Sequence, residues 1–275
     1  MVAKPAGAWR MVTLTVLAAA VAGAAWFSWT LRREESMIED KPVLPEELAL
    51  PDICRQVLHE GTAYFACAID PARFAIRLVH SAPDGTPYGS LAGFLAAEAS
   101  AGKAPLIAMN AGMYHEDLSP VGLHVEEGRE VAALNMEDAP GNFFLKPNGV
   151  FFITVEGKAG VMESAAFHDA RVAVRLATQS GPMLVIGGAL HPKFLPDGTS
   201  RYIRNGVGVT PDGTVVLAIS RSPVSLGAFA RAFRDGFGCP DALFLDGGIS
   251  AFAANSKLLI GGQDKAGPIL AVSGG

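Results

Sequence analysis

Arg201-Tyr-Ile-Arg-Asn-Gly-Val-Gly-Val-Thr-Pro-Asp-Gly-Thr-Val-Val-Leu-Ala-Ile-Ser220 is the stretch that sets the fold class. Two apolar runs, Arg201 to Thr210 and Thr214 to Ser220, flank the turn triplet Pro211-Asp212-Gly213 and predict an antiparallel hairpin. The same pattern recurs on the N-terminal side. Runs pair around Ser180-Gly181-Pro182, around Gly157, around Glu127-Gly128 and around Asp70-Pro71, where Tyr64 to Ile69 meets Phe74 to Val79. Short apolar runs at Leu106 to Met109 and Ala242 to Leu245 end in Asn110 and Asp246, and Leu258 to Ile260 and Ile269 to Val272 close the chain. Two segments break the pattern with helical spacing. Ser90 caps a helix to Ala101 with Gly102 beyond it, and Ser225 to Asp235 puts Leu226, Phe229 and Phe233 on one face before Gly236 and Gly238. Hairpins with few helices and no regular alternation predict an α+β fold, a single domain of mostly antiparallel hairpins.

Composition narrows the partners. Half of the 275 residues are hydrophobic, 18% are charged and the net charge is −5. Disorder needs the opposite balance. Lys and Arg form no stripe, which argues against nucleic acid. Met11 to Leu31 is apolar apart from Thr13, Thr15, Ser28 and Thr30, follows Lys4 and Arg10, and precedes Arg32 and Arg33. A run of that length spans a bilayer core or serves as a signal. The expected organisation is a signal peptide or signal-anchor helix over 1–33, a polar, proline-bearing linker over 34–51, and a folded domain over 52–275. A membrane contact through the N-terminal helix and a periplasmic or cell-envelope location follow from it. Export permits disulfides, and Cys54 and Cys67 are near enough in sequence to bridge, with Cys239 far away.

Four segments carry side chains suited to chemistry. Asn110 ends an apolar strand with Gly112 two residues on, which serves a ligand or merely closes a turn. Asp246 ends another, and Gly247 and Gly248 behind it let the backbone approach an anion; the carboxylate serves as base, nucleophile, metal ligand or turn former. Arg204, Gly206 and Gly208 share one strand face, leaving an open floor beside a guanidinium that fits a planar anion such as phosphate, unless a surface carboxylate pairs with it. Gln179 and Ser180 are placed to hydrogen-bond a substrate, and no G-x-S-x-G elbow supports Ser180 as a nucleophile. The six histidines are scattered and lack zinc spacing, although His115-Glu116-Asp117 forms a polar loop cluster. Ca²⁺ or Mg²⁺ beside Asp246 is compatible with a lone carboxylate, but spacing defines no ligand set.

In order, Asn110-Ala-Gly-Met-Tyr114, Pro120-Val-Gly-Leu123, Gly141-Asn-Phe-Phe144, Gln179-Ser-Gly-Pro-Met183, Arg204-Asn-Gly-Val-Gly208 and Leu245-Asp-Gly-Gly248 resemble the motifs of the phosphodiester glycosidase family, over roughly Tyr64 to Asn255. The resemblance implies an exported hydrolase that cleaves a sugar from a sugar phosphodiester or a related cell-envelope glycan. It implies catalytic roles for Asp246, Arg204 and Asn110. It further implies substrate contacts from Gly112, Tyr114, Gln179, Ser180, Asn205, Gly208, Gly247, Gly248 and Ser250. Ile249 stands where the family motif has a third glycine. Ordinary glycosidases protonate a poor leaving group with a second carboxylate. A phosphomonoester leaves as a weak base, so an arginine can stabilise it while one acid serves the sugar. A non-catalytic envelope protein binding a sugar phosphate or cell-wall polymer, and a phosphodiesterase cutting the P–O bond, use the same residues.

Overall fold

The computed structural model describes residues 50–274. The chain starts with an antiparallel hairpin of β1 (Cys54–His59) and β2 (Thr62–Ile69), followed by β3 (Phe74–Val79), helix α1 (Leu91–Ser100) and β4 (Ile107–Asn110). Two further hairpins join β5 (His124–Glu126) to β6 (Arg129–Ala132) and β7 (Gly149–Thr154) to β8 (Ala159–Glu163). Then come α2 (Ser164–Ala170), β9 (Val174–Ser180), β10 (Met183–Ile186) and β11 (Ala189–Leu190). β12 (Asn205–Val209) and β13 (Val215–Ser220) form the hairpin expected around Pro211-Asp212-Gly213. Helix α3 (Leu226–Arg231) runs on into a π-helical turn (Ala232–Gly236), and β14 (Asp241–Phe244), β15 (Phe252–Ala254), β16 (Lys257–Ile260) and β17 (Ile269–Gly274) complete the domain.

Among the described residues every strand pairing is antiparallel, as the hairpin pattern requires. They make three sheets, ordered β1-β2-β13-β12-β14-β10-β11, β16-β15-β4-β17-β3 and β6-β5-β9-β7-β8. One apolar core joins the inner faces of all three, with Phe65, Leu217 and Leu243 from the first, Met109 and Leu270 from the second, and Phe151 and Leu176 from the third. The outer face of the first sheet carries Tyr64, Leu184, Val216 and Phe244, and α3 with its π turn covers it through Phe229 and Phe233. Each fully buried phenylalanine contributes roughly 2–3 kcal/mol. Ser90 caps α1 by accepting from the Gly93 N–H at 2.9 Å, and Ser225 caps α3 from Ala228 at 3.1 Å.

Two expected pairings do not form. β2 and β3 lie in different sheets, as do β9 and β10. The reason is the shared core. Cys67 and Ile69 on β2 face Ile76 and Leu78 on β3 across it, and Leu176 and Met183 do the same for β9 and β10. Alternation specifies which face is apolar, not which strand lies alongside. Helix α2 has no counterpart among the expected elements. Cys54 and Cys67 are directly opposite in the β1–β2 register and are joined by a disulfide. The expected leader and most of the linker lie outside the described residues. Among the described residues no helix is long and apolar enough to cross a membrane.

Candidate functional site

The site forms where the first two sheets meet end to end. β4 delivers Asn110 at its last position, β12 starts with Asn205, and β14 runs out into Asp246. Asn205 Nδ2 donates to the Asn110 carbonyl at 2.8 Å and to Asn110 Oδ1 at 3.0 Å. Asn110 Nδ2 donates to the Asp246 carbonyl at 2.7 Å, and its Oδ1 accepts from the Ala251 N–H at 2.8 Å. Ser250 Oγ lies 2.9 Å from the Ile203 carbonyl and 3.1 Å from Asn205 Oδ1. Asn110 and Asn205 are almost wholly buried, so these bonds satisfy polar groups that water does not reach. The network fixes the Asp246 backbone, whose N–H donates to the Ala111 carbonyl at 3.1 Å.

The Asp246 carboxyl itself stays available. Oδ1 accepts from the Gly248 N–H at 3.0 Å, an Asx-type turn, and Oδ2 has no partner among the described residues. Burial raises its pKa against the lowering effect of the Gly248 bond. Gly247 is required by packing, because a Cβ there would lie 2.3 Å from the Phe244 ring. Gly248 has room, its nearest neighbour being Asp246 Oδ1 at 3.4 Å. Tyr114 donates its hydroxyl to the Lys265 carbonyl. Burial, then the negative charges of Asp246 and Asp264, push its pKa up to about 12.

Arg204 points from the opposite face of the chain to Asn205, as strand alternation dictates. It is 2% exposed. Nε donates to the Val224 carbonyl at 2.9 Å and Nη2 to the Ser200 carbonyl at 3.1 Å. The guanidinium carbon sits 5.2 Å from the Phe244 ring centre and 5.5 Å from that of Tyr202. Burial lowers its pKa to about 10, so it remains a cation at neutral pH. Among the described residues no carboxylate forms an ion pair with it. A buried, charged guanidinium without a counter-anion has Nη1 left to donate. Arg204 and Asp246 do not touch, and Phe244 is packed against both Arg204 and Gly247.

The open floor expected beside Arg204 is absent. A Cβ on Gly206 would meet the Leu243 carbonyl at 2.8 Å and the Phe233 ring at 3.1 Å; one on Gly208 would meet Cys239 Sγ at 2.8 Å and Phe233 at 2.9 Å. Those glycines make room for the helical layer, not for a ligand. Gln179 and Ser180 are the last two residues of β9, in the third sheet. Gln179 Oε1 accepts from the Leu123 and Asn135 N–H groups at 3.1 and 2.8 Å. Its Nε2 donates to the Asn135 carbonyl at 2.7 Å and Ser164 Oγ at 3.1 Å. The amide thus ties β9 to three neighbouring segments, at Leu123, Asn135 and Ser164. Gly112 packs against it, since a Cβ would lie 2.5 Å from the Gln179 carbonyl. The Ser180 hydroxyl is buried without a protein partner. Among the described residues no three His, Cys, Asp or Glu side chains converge to hold a metal ion. Sequence reasoning missed Phe244, Val224 and Ser200, which hold Arg204. Two of them act through backbone carbonyls and so leave no signal in residue type.

Residues 104–267 match the family model described as phosphodiester glycosidase. An uncharacterised Escherichia coli K12 protein, YigE, is 34% identical over 185 residues, spanning 67% of this chain and 72% of YigE. The catalytic domain of zebrafish N-acetylglucosamine-1-phosphodiester alpha-N-acetylglucosaminidase, auto-inhibited by its pro-peptide, superposes with a TM-score of 0.58 at 13% identity, covering 80% of this chain and 81% of that one. A hypothetical protein from Synechocystis gives a TM-score of 0.51 at 13% identity, over 80% and 61% of the two chains. The two structures share the fold. The family match includes Asn110, Arg204 and Asp246, and the chain belongs to the phosphodiester glycosidase family.

Proposed function

We propose that this chain is an exported hydrolase that breaks the bond between a sugar C1 and a phosphodiester oxygen. The observation that carries this is the Asp246 carboxyl, which has a backbone gripped by Asn110 and one oxygen uncommitted, with no second carboxylate paired to it. In this mechanism the C1–O bond electrons leave with the phosphomonoester, a weak base that needs no proton from a second acid. Arg204, a cation without a counter-anion, binds the phosphate and stabilises the charge that develops there. Asp246 acts on the sugar side, taking a proton from the attacking water or attacking C1 itself; in the second case water then hydrolyses the glycosyl ester. Asn110 positions Asp246, and Tyr114 and Ser250 border the same end of the sheets. Burial supports the basic role, because a raised pKa makes the carboxylate a better proton acceptor. The Cys54–Cys67 bond supports export to an oxidising compartment such as the periplasm or cell envelope.

The test is product analysis. The purified protein is incubated with N-acetylglucosamine 1-phosphodiesters and a nucleotide sugar, and products are identified by mass spectrometry. Free sugar from the wild type, reduced at least about 10²-fold in Asp246→Asn, is the expected result. Sugar phosphate as the product makes the chain a phosphodiesterase instead, and saturable binding without any product makes it a binding protein.

A further inference from the structure

Arg204 lines a cleft of 220 Å³ together with the apolar Leu145, Phe194, Leu195 and Leu226 and the polar Lys193, Thr199, Ser200 and Ser225. The outer wall is the loop 191–200, which is fastened down. Arg231 Nη1 donates to the Pro196 carbonyl at 3.0 Å. Gly227 admits the loop at close range, since a Cβ there would lie 2.5 Å from the Leu195 carbonyl. Leu195 is nevertheless 71% exposed, and Tyr202, whose ring faces Arg204, is 58% exposed. A fixed loop therefore holds a leucine in water beside a cleft that combines apolar walls with the buried guanidinium of Arg204.

The cation decides the head of the ligand and the walls decide its tail. Arg204 is the buried cation of the cleft, Lys193 being exposed, and one buried charge without a partner matches a monoanion, the charge state of a phosphodiester. Leu145, Phe194, Leu195 and Leu226 offer no partners to the hydroxyls of a second sugar laid along them, and burying those groups unpaired is unfavourable; of the polar side chains, Lys193, Thr199 and Ser200 are exposed and Ser225 already caps α3. A hydrocarbon chain meets no such penalty, and each methylene it buries strengthens binding about fourfold. We propose that the phosphodiester bound by this chain is amphiphilic, with its phosphate on Arg204 and an alkyl or prenyl arm, on the side away from the sugar, lying along Phe194, Leu195 and Leu226. This rests on the assignment of Arg204 as the phosphate-binding residue.

The probes are two sugar-free phosphodiester monoanions, dimethyl phosphate and methyl octyl phosphate. The latter is kept below its micelle concentration, and binding is measured by calorimetry. Methyl octyl phosphate is expected to bind at least about 100-fold more tightly. Leu195→Ser, a change at an exposed position, is expected to reduce that chain-length gain several-fold without altering the affinity for dimethyl phosphate. Equal affinity for the two esters overturns the proposal, as does a gain that Leu195→Ser leaves intact. The hydrolytic reading is judged separately, by sugar release from methyl and octyl N-acetylglucosaminyl phosphodiesters. Release that is indifferent to chain length, with no gain in binding, keeps the hydrolase and sinks the amphiphile; a chain-length gain in binding without release does the reverse.

Discussion

A carboxylate held partly out of water with a single backbone N–H for company is unfavourable in its charged form, and Asp246 is such a group. Its folded pKa is raised, so between the ordinary carboxylate pKa and the folded value the native state holds a proton that the unfolded chain has lost. Stability contributed by this group therefore falls as pH rises through that window. Asp246→Asn keeps the shape and the Gly248 bond but removes the charge. The variant is expected to melt at a higher temperature than wild type at pH 7, with the difference vanishing below about pH 4. A wild-type kcat/KM that declines on acidification through a pKa above the usual carboxylate range is the matching kinetic result. Equal melting temperatures at pH 7 would contradict the burial argument. The sequence marks Asp246 as a lone acid between an apolar strand and two glycines, a setting that suits a site or a turn, and the bond from the Gly248 N–H is such a turn. Gln179 gave a similar signal yet bonds Asn135, Leu123 and Ser164, since residue type alone does not tell which partners will surround an amide.

At the level of elements, β12 shows what alternation conveys and what it omits. Arg204, Gly206 and Gly208 do share a face, but a face with small residues is either open or closely covered. Here the Phe229–Phe233 pair covers it, their rings 5.2 Å apart at right angles. Gly208→Ala places a methyl group 2.8 Å from Cys239 Sγ and 2.9 Å from Phe233, which predicts a loss of about 1–3 kcal/mol from overpacking. Cys239→Ala vacates part of that space. The double variant is expected to recover at least part of the loss, giving a non-additive cycle in chemical denaturation. Strict additivity would mean that the two side chains do not compete for one volume. The same limit explains why the β12–β13 hairpin was legible while β2 and β3 were misjudged. A tight turn with a clear glycine fixes a local pairing, whereas Asp70-Pro71 lets the chain cross from one sheet to the next.

Across the whole domain, three sheets share a core, and the first sheet ends in β1, an edge strand with few buried side chains. Burial alone anchors that strand weakly. The Cys54–Cys67 bond closes a loop with a sequence separation of 13, for which the chain-entropy argument gives about 3 kcal/mol. Cys239 has the opposite character. It is free and fully buried, and burial pushes its pKa up to about 12, so its thiolate is almost absent near neutral pH. The two features together make one prediction. Alkylation of native protein at pH 8 without reductant should modify no cysteine, denaturation should expose one thiol, and denaturation with reductant should expose three, counted by mass spectrometry. Reduction, or Cys54→Ala with Cys67→Ala, should lower the melting temperature by roughly 6–12 °C. Three reactive thiols in unreduced, denatured protein isolated from an oxidising compartment would mean that β1 is held without the bond. The chain-entropy contribution would then have to be replaced by packing, for which an edge strand with so little buried surface offers no source.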